Sequence, residues 1–131
     1  MWIYEVSTGK LYNNDGKYVA TGYSGGGGGK VPEAVNNPDF QNVKGVGPLP
    51  NGLYEMGTPI PHHPHVGVYA IPLIPHVDNE MFGRDQFFCH GDNQHMNYSA
   101  SDGCIIMPYS TRVVLGEGVD STISVVDIKR C

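Results

Sequence analysis

The sequence predicts a mainly β single domain spanning residues 1–131 with one small helix, and three observations carry that prediction. Aromatic and β-branched residues come in short runs, bounded by clusters of Gly, Pro, Asn, Asp and Ser. Eighteen glycines and ten prolines in 131 residues exceed the average of roughly 12% for the pair, which favours short strands joined by tight turns. A chain of this length buries most of its apolar surface without needing disulfides or a structural metal.

Taken in order, residues 2–6 and 10–12 are strand-like runs separated by Ser7-Thr8-Gly9. Asn13-Asn14-Asp15-Gly16 leads into a third run over residues 17–23, giving a three-strand meander. Ser24 precedes five glycines, Gly25 to Gly29, which have no side chains to pack and read as a mobile loop. That loop is no phosphate cradle, because Lys30 is followed by Val31 and Pro32 where G-K-[ST] is required. Asn36-Asn37-Pro38 opens an irregular segment whose exit, Pro48-Leu49-Pro50-Asn51-Gly52, is stiffened by two prolines and an Asn-Gly turn. Residues 53–56 form the next strand, and residues 59–64 a loop rich in proline and histidine. Residues 66–74 have strand content broken by Pro72, which predicts an edge or a bend. In a strand over residues 86–90, alternation puts Phe88 and His90 on one face and Phe87 and Cys89 on the other. Ser110 caps a short helix over residues 111–115, stopped by Gly116 and Gly118, before a last strand over residues 121–128.

A net charge of −5 with eight scattered Lys and Arg residues gives no footprint for nucleic acid or an anionic membrane. The N-terminus lacks the basic and long apolar segments of a Sec signal, and the apolar run over residues 66–74 is too short to span a bilayer. The chain reads as soluble, with no membrane insertion. Cys89, Cys104 and Cys131 make an odd count without C-x-x-C spacing, so at least one thiol is expected free, and a Cys89–Cys131 bridge stays open. His62-His63-Pro64-His65 and His76 have neither the spacing nor the nearby carboxylate of a metal site; a solvated loop lining a cleft is the preferred reading, and no cofactor is expected.

The chemistry concentrates between His90 and Cys104. A cysteine nucleophile needs a base and backbone N–H donors for the oxyanion, and here Ser101-Asp102-Gly103 brings Cys104 to the point where a loop enters a strand. The Gly103 and Cys104 N–H groups are the expected donors. The bland alternative for Cys104 is a small buried hydrophobe. His90 is the favoured base, oriented by a backbone carbonyl or by Asp92, with His95 in reserve. All six histidines precede Cys104, which excludes the papain-like order of cysteine before histidine.

His90-Gly91-Asp92-Asn93 followed by Ser101-Asp102-Gly103-Cys104-Ile105 resembles the active-site signature of L,D-transpeptidases. With Tyr23-Ser24-Gly25, Asn36-Asn37-Pro38, the run from Gly47 to Tyr54 and Gly83-Arg84, the chain is similar to the small L,D-transpeptidase-like effectors delivered by type VI secretion systems. The resemblance implies a β-sandwich or barrel with one or two short helices, and attack on peptidoglycan tetrapeptide stems through a thioester. By matching position, Cys104 is the nucleophile, His90 the general base and Gly91 the carbonyl that orients it, while Ser101 and Gly103 shape the turn. Arg84, Asn93, Asp102 and Tyr23 become substrate-binding candidates, Arg84 beside a substrate carboxylate. Asp102 and Ile106 stand where wall-crosslinking enzymes have a second histidine and an arginine, which leaves hydrolysis, exchange and crosslinking open. The family further implies an immunity protein, secretion components, synthesis in the cytoplasm and action in a target cell's periplasm. A thiolate–imidazolium pair would require a depressed Cys104 pKa. Two other readings are a non-catalytic wall-binding or phage structural module, and a sortase-like enzyme using Arg112, whose Thr-Leu-x-Thr-Cys lead-in is absent.

Overall fold

The computed structural model of the protein describes residues 1–92 and 100–127. The first strands, β1 (Trp2–Glu5), β2 (Lys10–Tyr12) and β3 (Tyr18–Thr21), form the expected meander. They are followed by β4 (Tyr23–Ser24), β5 (Gly52–Met56), β6 (Ile60–His63), β7 (Gly67–Pro75), β8 (Phe87–His90) and β9 (Ile105–Ile106), then by helix α1 (Tyr109–Glu117) and β10 (Thr122–Val126). One sheet runs β3-β2-β1-β10-β5-β7-β8-β9-β4, with β6 paired to the free half of β7. The pairs β1–β10 and β8–β9 are parallel and the others antiparallel.

The outermost strands of this order, β3 and β4, are separated by Gly22 alone. A sheet whose two edges are joined by one residue has to curl almost into a barrel. Gly22 makes that closure fit: its N–H donates to Gly9 O at 2.8 Å, and a Cβ there would lie 1.8 Å from Ile106 O on β9. Inside the curl lie Tyr4, Leu11, Leu49, Tyr54, Ile71, Leu73, Phe87, Cys89, Ile105, Ile123 and Val125, with Leu115 of α1 packed against them. Burying each large apolar side chain of this kind contributes roughly 1.5–3 kcal/mol.

The structure departs from the sequence expectations at identifiable places. The segment expected as a proline- and histidine-rich loop contains β6, an edge strand paired Ile60↔Ala70 and His62↔Val68; Pro61 is tolerated because an edge strand needs only half its N–H groups. Pro72 lies within the sheet, where β7 pairs with β8 on one side and exchanges β6 for β5 on the other. Its carbonyl accepts from Gly57 N–H at 2.9 Å, so its missing N–H falls at this seam and no ladder bond is lost. The helix begins at Tyr109 after Pro108, so Ser110 is inside its first turn and caps nothing; it also runs through Gly116. A Cβ on Gly116 would sit 2.4 Å from Tyr69 Oη, which makes this glycine a packing position and no stop.

The glycine run is ordered by hydrogen bonds. All five glycines have positive φ, the Gly26 and Gly27 N–H groups donate to Val46 O, and that of Gly28 donates to Ser101 O. Glycine's lack of Cβ is used here to bring backbone against backbone: a Cβ on Gly25 would lie 2.7 Å from both Ala34 O and Pro48 N.

Candidate active site at Cys104 and His90

Parallel pairing of β8 with β9 sets Cys89 opposite Ile105 and His90 opposite Ile106. Cys89 and Ile105 face the core and are 2% and 1% exposed, so His90 points to the other face, as alternation predicts. Cys104, one residue before β9, falls beside Phe88, whose N–H donates to Cys104 Sγ at 3.3 Å. Thiol and imidazole are thus diagonal neighbours on adjacent strands, with Cα positions about 8 Å apart from strand spacing and rise. Among the described residues no hydrogen bond joins them.

His90 is buried, and its Nδ1 lies 2.8 Å from Gly91 O. A carbonyl only accepts, so Nδ1 carries the proton and Nε2 keeps its lone pair, the tautomer a general base requires. Burial holds the His90 pKa below its ordinary 6.5; the Gly91 carbonyl and Asp92 oppose this, while Arg112 and His63 reinforce it. His63 reaches the site from β6, its ring 4.9 Å from that of Phe88. Arg112 donates to Tyr69 O, Met107 O and Val68 O, so it fastens α1 to β7 and to the end of β9.

The turn before Cys104 is held from below by two buried serines. Ser101 Oγ accepts from Gly25 N–H at 2.9 Å and Gly103 N–H at 3.1 Å, and donates to Cys104 O at 2.6 Å. The Gly103 N–H, expected as an oxyanion donor, is therefore directed at Ser101. Ser24, which sequence reasoning placed in a motif without giving it a role, donates to Gly103 O and accepts from Leu49 N–H, both at 2.9 Å. Gly103 has φ +140°, and a Cβ there would lie 2.5 Å from Arg84 Nη2.

Arg84 was expected beside a substrate carboxylate. It is 4% exposed, and its two terminal nitrogens donate to Gln41 O, Pro48 O, Gly47 O and Asp102 O. It therefore clasps the residue 41–48 segment to the turn, and its charge favours a thiolate at Cys104. No local signal marks a buried arginine in a Gly-Arg pair. Asp102 itself is exposed, with Oδ1 3.3 Å from where a Gly28 Cβ would be. Tyr23 Oη donates to Asp92 Oδ1 at 2.8 Å and accepts from Ala100 N–H at 3.1 Å, so it ties residue 92 to residue 100. Asn93, His95, Cys131 and the end of the last predicted strand lie outside the described residues.

Cys104 opens on a cleft of about 180 Å³ lined by Lys44, Gly45, Arg84, Asp85, Gln86, Phe87 and Asp102. Burial pushes its thiol up to about 11, Asp102 adds to the rise, and the Phe88 N–H and Arg84 oppose it. Desolvation outweighs the stabilising groups, so the shift runs opposite to the depression that a thiolate–imidazolium pair requires and favours the neutral thiol. Iodoacetamide alkylation of Cys104 is accordingly expected to rise roughly tenfold per pH unit well beyond the ordinary thiol pKa, levelling near the Cys104 value of about 11. A plateau reached by pH 7 in the mass-spectrometric time course would contradict this. Among the described residues no group of three or more His, Cys, Asp or Glu side chains is placed to hold a metal ion.

Fold and site together define a small, nearly closed β-barrel domain in which Cys104 lines a cleft and His90 lies diagonally from it on the neighbouring parallel strand. A family profile described as the Tlde1 domain matches residues 18–115, which include both His90 and Cys104. The chain belongs to this family of type VI secretion effectors, which is L,D-transpeptidase-like and implies a cognate immunity protein and secretion machinery. No curated protein and no solved structure matches it. No helix among the described residues is long and apolar enough to cross a membrane.

Proposed function

We propose that the protein is a cysteine enzyme that removes or exchanges the terminal D-alanine of peptidoglycan tetrapeptide stems, acting in the periplasm of a target cell. The observation that carries this reading is the register of β8 and β9, which makes Cys104 and an imidazole with a committed Nδ1 diagonal neighbours. Substrate entering the cleft brings its carbonyl carbon to Sγ. The thiol proton passes to His90 Nε2 as Sγ attacks, the Phe88 N–H and Arg84 supporting the sulfur's charge while it develops. The tetrahedral oxyanion is held by the Cys104 N–H. His90 then protonates the departing D-alanine amine and leaves a thioester on Cys104. Water completes a carboxypeptidase cycle; a D-amino acid amine completes exchange.

Against the rival sortase-like reading, Arg112 donates to three backbone carbonyls under α1, which supports a structural role for it. Purified protein incubated with tetrapeptide muropeptides is expected to lose one D-alanine mass, and to gain D-methionine when that amino acid is added. Unchanged masses in both incubations would sink the enzymatic reading and leave a non-catalytic wall-binding module.

A further inference from the structure

We infer that Ser24 is a positioning residue that aims the Cys104 N–H at the oxyanion, an assignment that rests on the acyl-transfer reading above. In a trans peptide the C=O and N–H point in opposite directions, and the chain has no cis peptide bonds among its described residues. The Gly103 carbonyl is drawn inward to Ser24 Oγ at 2.9 Å, and Ser24 is 0% exposed. The N–H of the same peptide unit, that of Cys104, is therefore turned away from Ser24, and Cys104 is a residue that lines the cleft. Among the described residues it has no hydrogen-bond partner. The flanking peptides are fixed by other groups: Asp102 O by Arg84, Gly103 N–H and Cys104 O by Ser101. Among the described residues, Ser24 alone bonds the unit between them. Its own hydroxyl cannot swing away, since it also accepts from Leu49 N–H.

Two reactions of the same thiol separate aiming the donor from shaping the protein. Acylation by p-nitrophenyl acetate forms an S–C bond at the ester carbonyl, passes through an oxyanion and expels p-nitrophenolate, the thiol proton going to His90. Alkylation by iodoacetamide forms an S–C bond at a methylene carbon, expels iodide, loses the thiol proton to His90 or to solvent, and develops no oxyanion. Ser24→Ala is expected to slow Cys104 acylation about 100-fold while leaving its alkylation within about threefold of wild type, and Ser24→Thr, which keeps the hydroxyl, to recover acylation. Acylation and alkylation falling in parallel in Ser24→Ala, or acylation unchanged, would overturn the assignment. The ester needs no stem peptide, so a wild type that acylates normally but leaves muropeptides intact would remove the proposed substrate and leave the role of Ser24 standing.

Discussion

Cys104→Ala is expected to reduce D-alanine release from tetrapeptide stems by more than about 10⁴-fold, whereas Cys89→Ala leaves it within a fewfold of wild type. Cys89 lies on β8 and Cys104 one residue before the neighbouring β9, and the two differ in the face they occupy. Cys89 is packed among Tyr4, Ile71 and Ile105 in the core, and burial pushes its pKa up to about 12. Nothing of the size of a peptide reaches it. Its truncation removes a sulfur's worth of packing, at a cost of about 1–2 kcal/mol that thermal unfolding will register as a drop of several degrees. Cys104 borders the cleft, where truncation removes the atom that would carry the acyl group. The measurement is the mass of the muropeptide after timed incubation, alongside a melting curve for each variant. Equal loss of release in both variants at matched folding would mean that the register of β8 and β9 does not select the nucleophile.

The burial of Cys89 on the face opposite His90 was legible in the sequence because it rests on alternation, a local property of Phe87-Phe88-Cys89-His90 that the fold only has to honour. The meander of β1 to β3, the strand at residues 52–56 and the existence of a helix after Pro108 were legible for the same reason. Other features depend on partners distant in sequence. The glycine run reads as a mobile loop until Val46 O and Ser101 O are seen to accept its N–H groups. Gly22 is one glycine among eighteen until the two ends of the sheet meet at it. Arg84 and Ser24 act on carbonyls 18 to 79 residues away, so no spacing announces them. The upward shift of the Cys104 pKa was not legible, because pairing with an imidazolium argues only for a lower value, while the desolvation that raises it is set by how closely the turn is wrapped.

His90→Gln tests the consequence of a neutral resting pair, and is expected to lower kcat/KM for D-alanine release by about 10²–10⁴-fold. Glutamine preserves the size and polarity of the side chain but takes no proton. In the wild type the base is competent when His90 is neutral; since burial holds its pKa below 6.5, activity should persist as pH falls through 6.5 and decline only beneath it. The variant should lack that acid limb. Its residual rate should instead climb about tenfold per pH unit, because without a base only Cys104 that has already ionised can attack, and its pKa is about 11. Stability carries the same sign: below pH 6.5 the unfolded chain binds a proton that the folded His90 resists, so wild-type stability falls with pH there, and His90→Gln removes that contribution. Rate profiles and urea titrations across pH 5 to 9 read both effects. An acid limb that survives in His90→Gln with an undiminished rate would transfer the base to another imidazole, and His63, ring to ring with Phe88 beside the thiol, is the one the geometry offers.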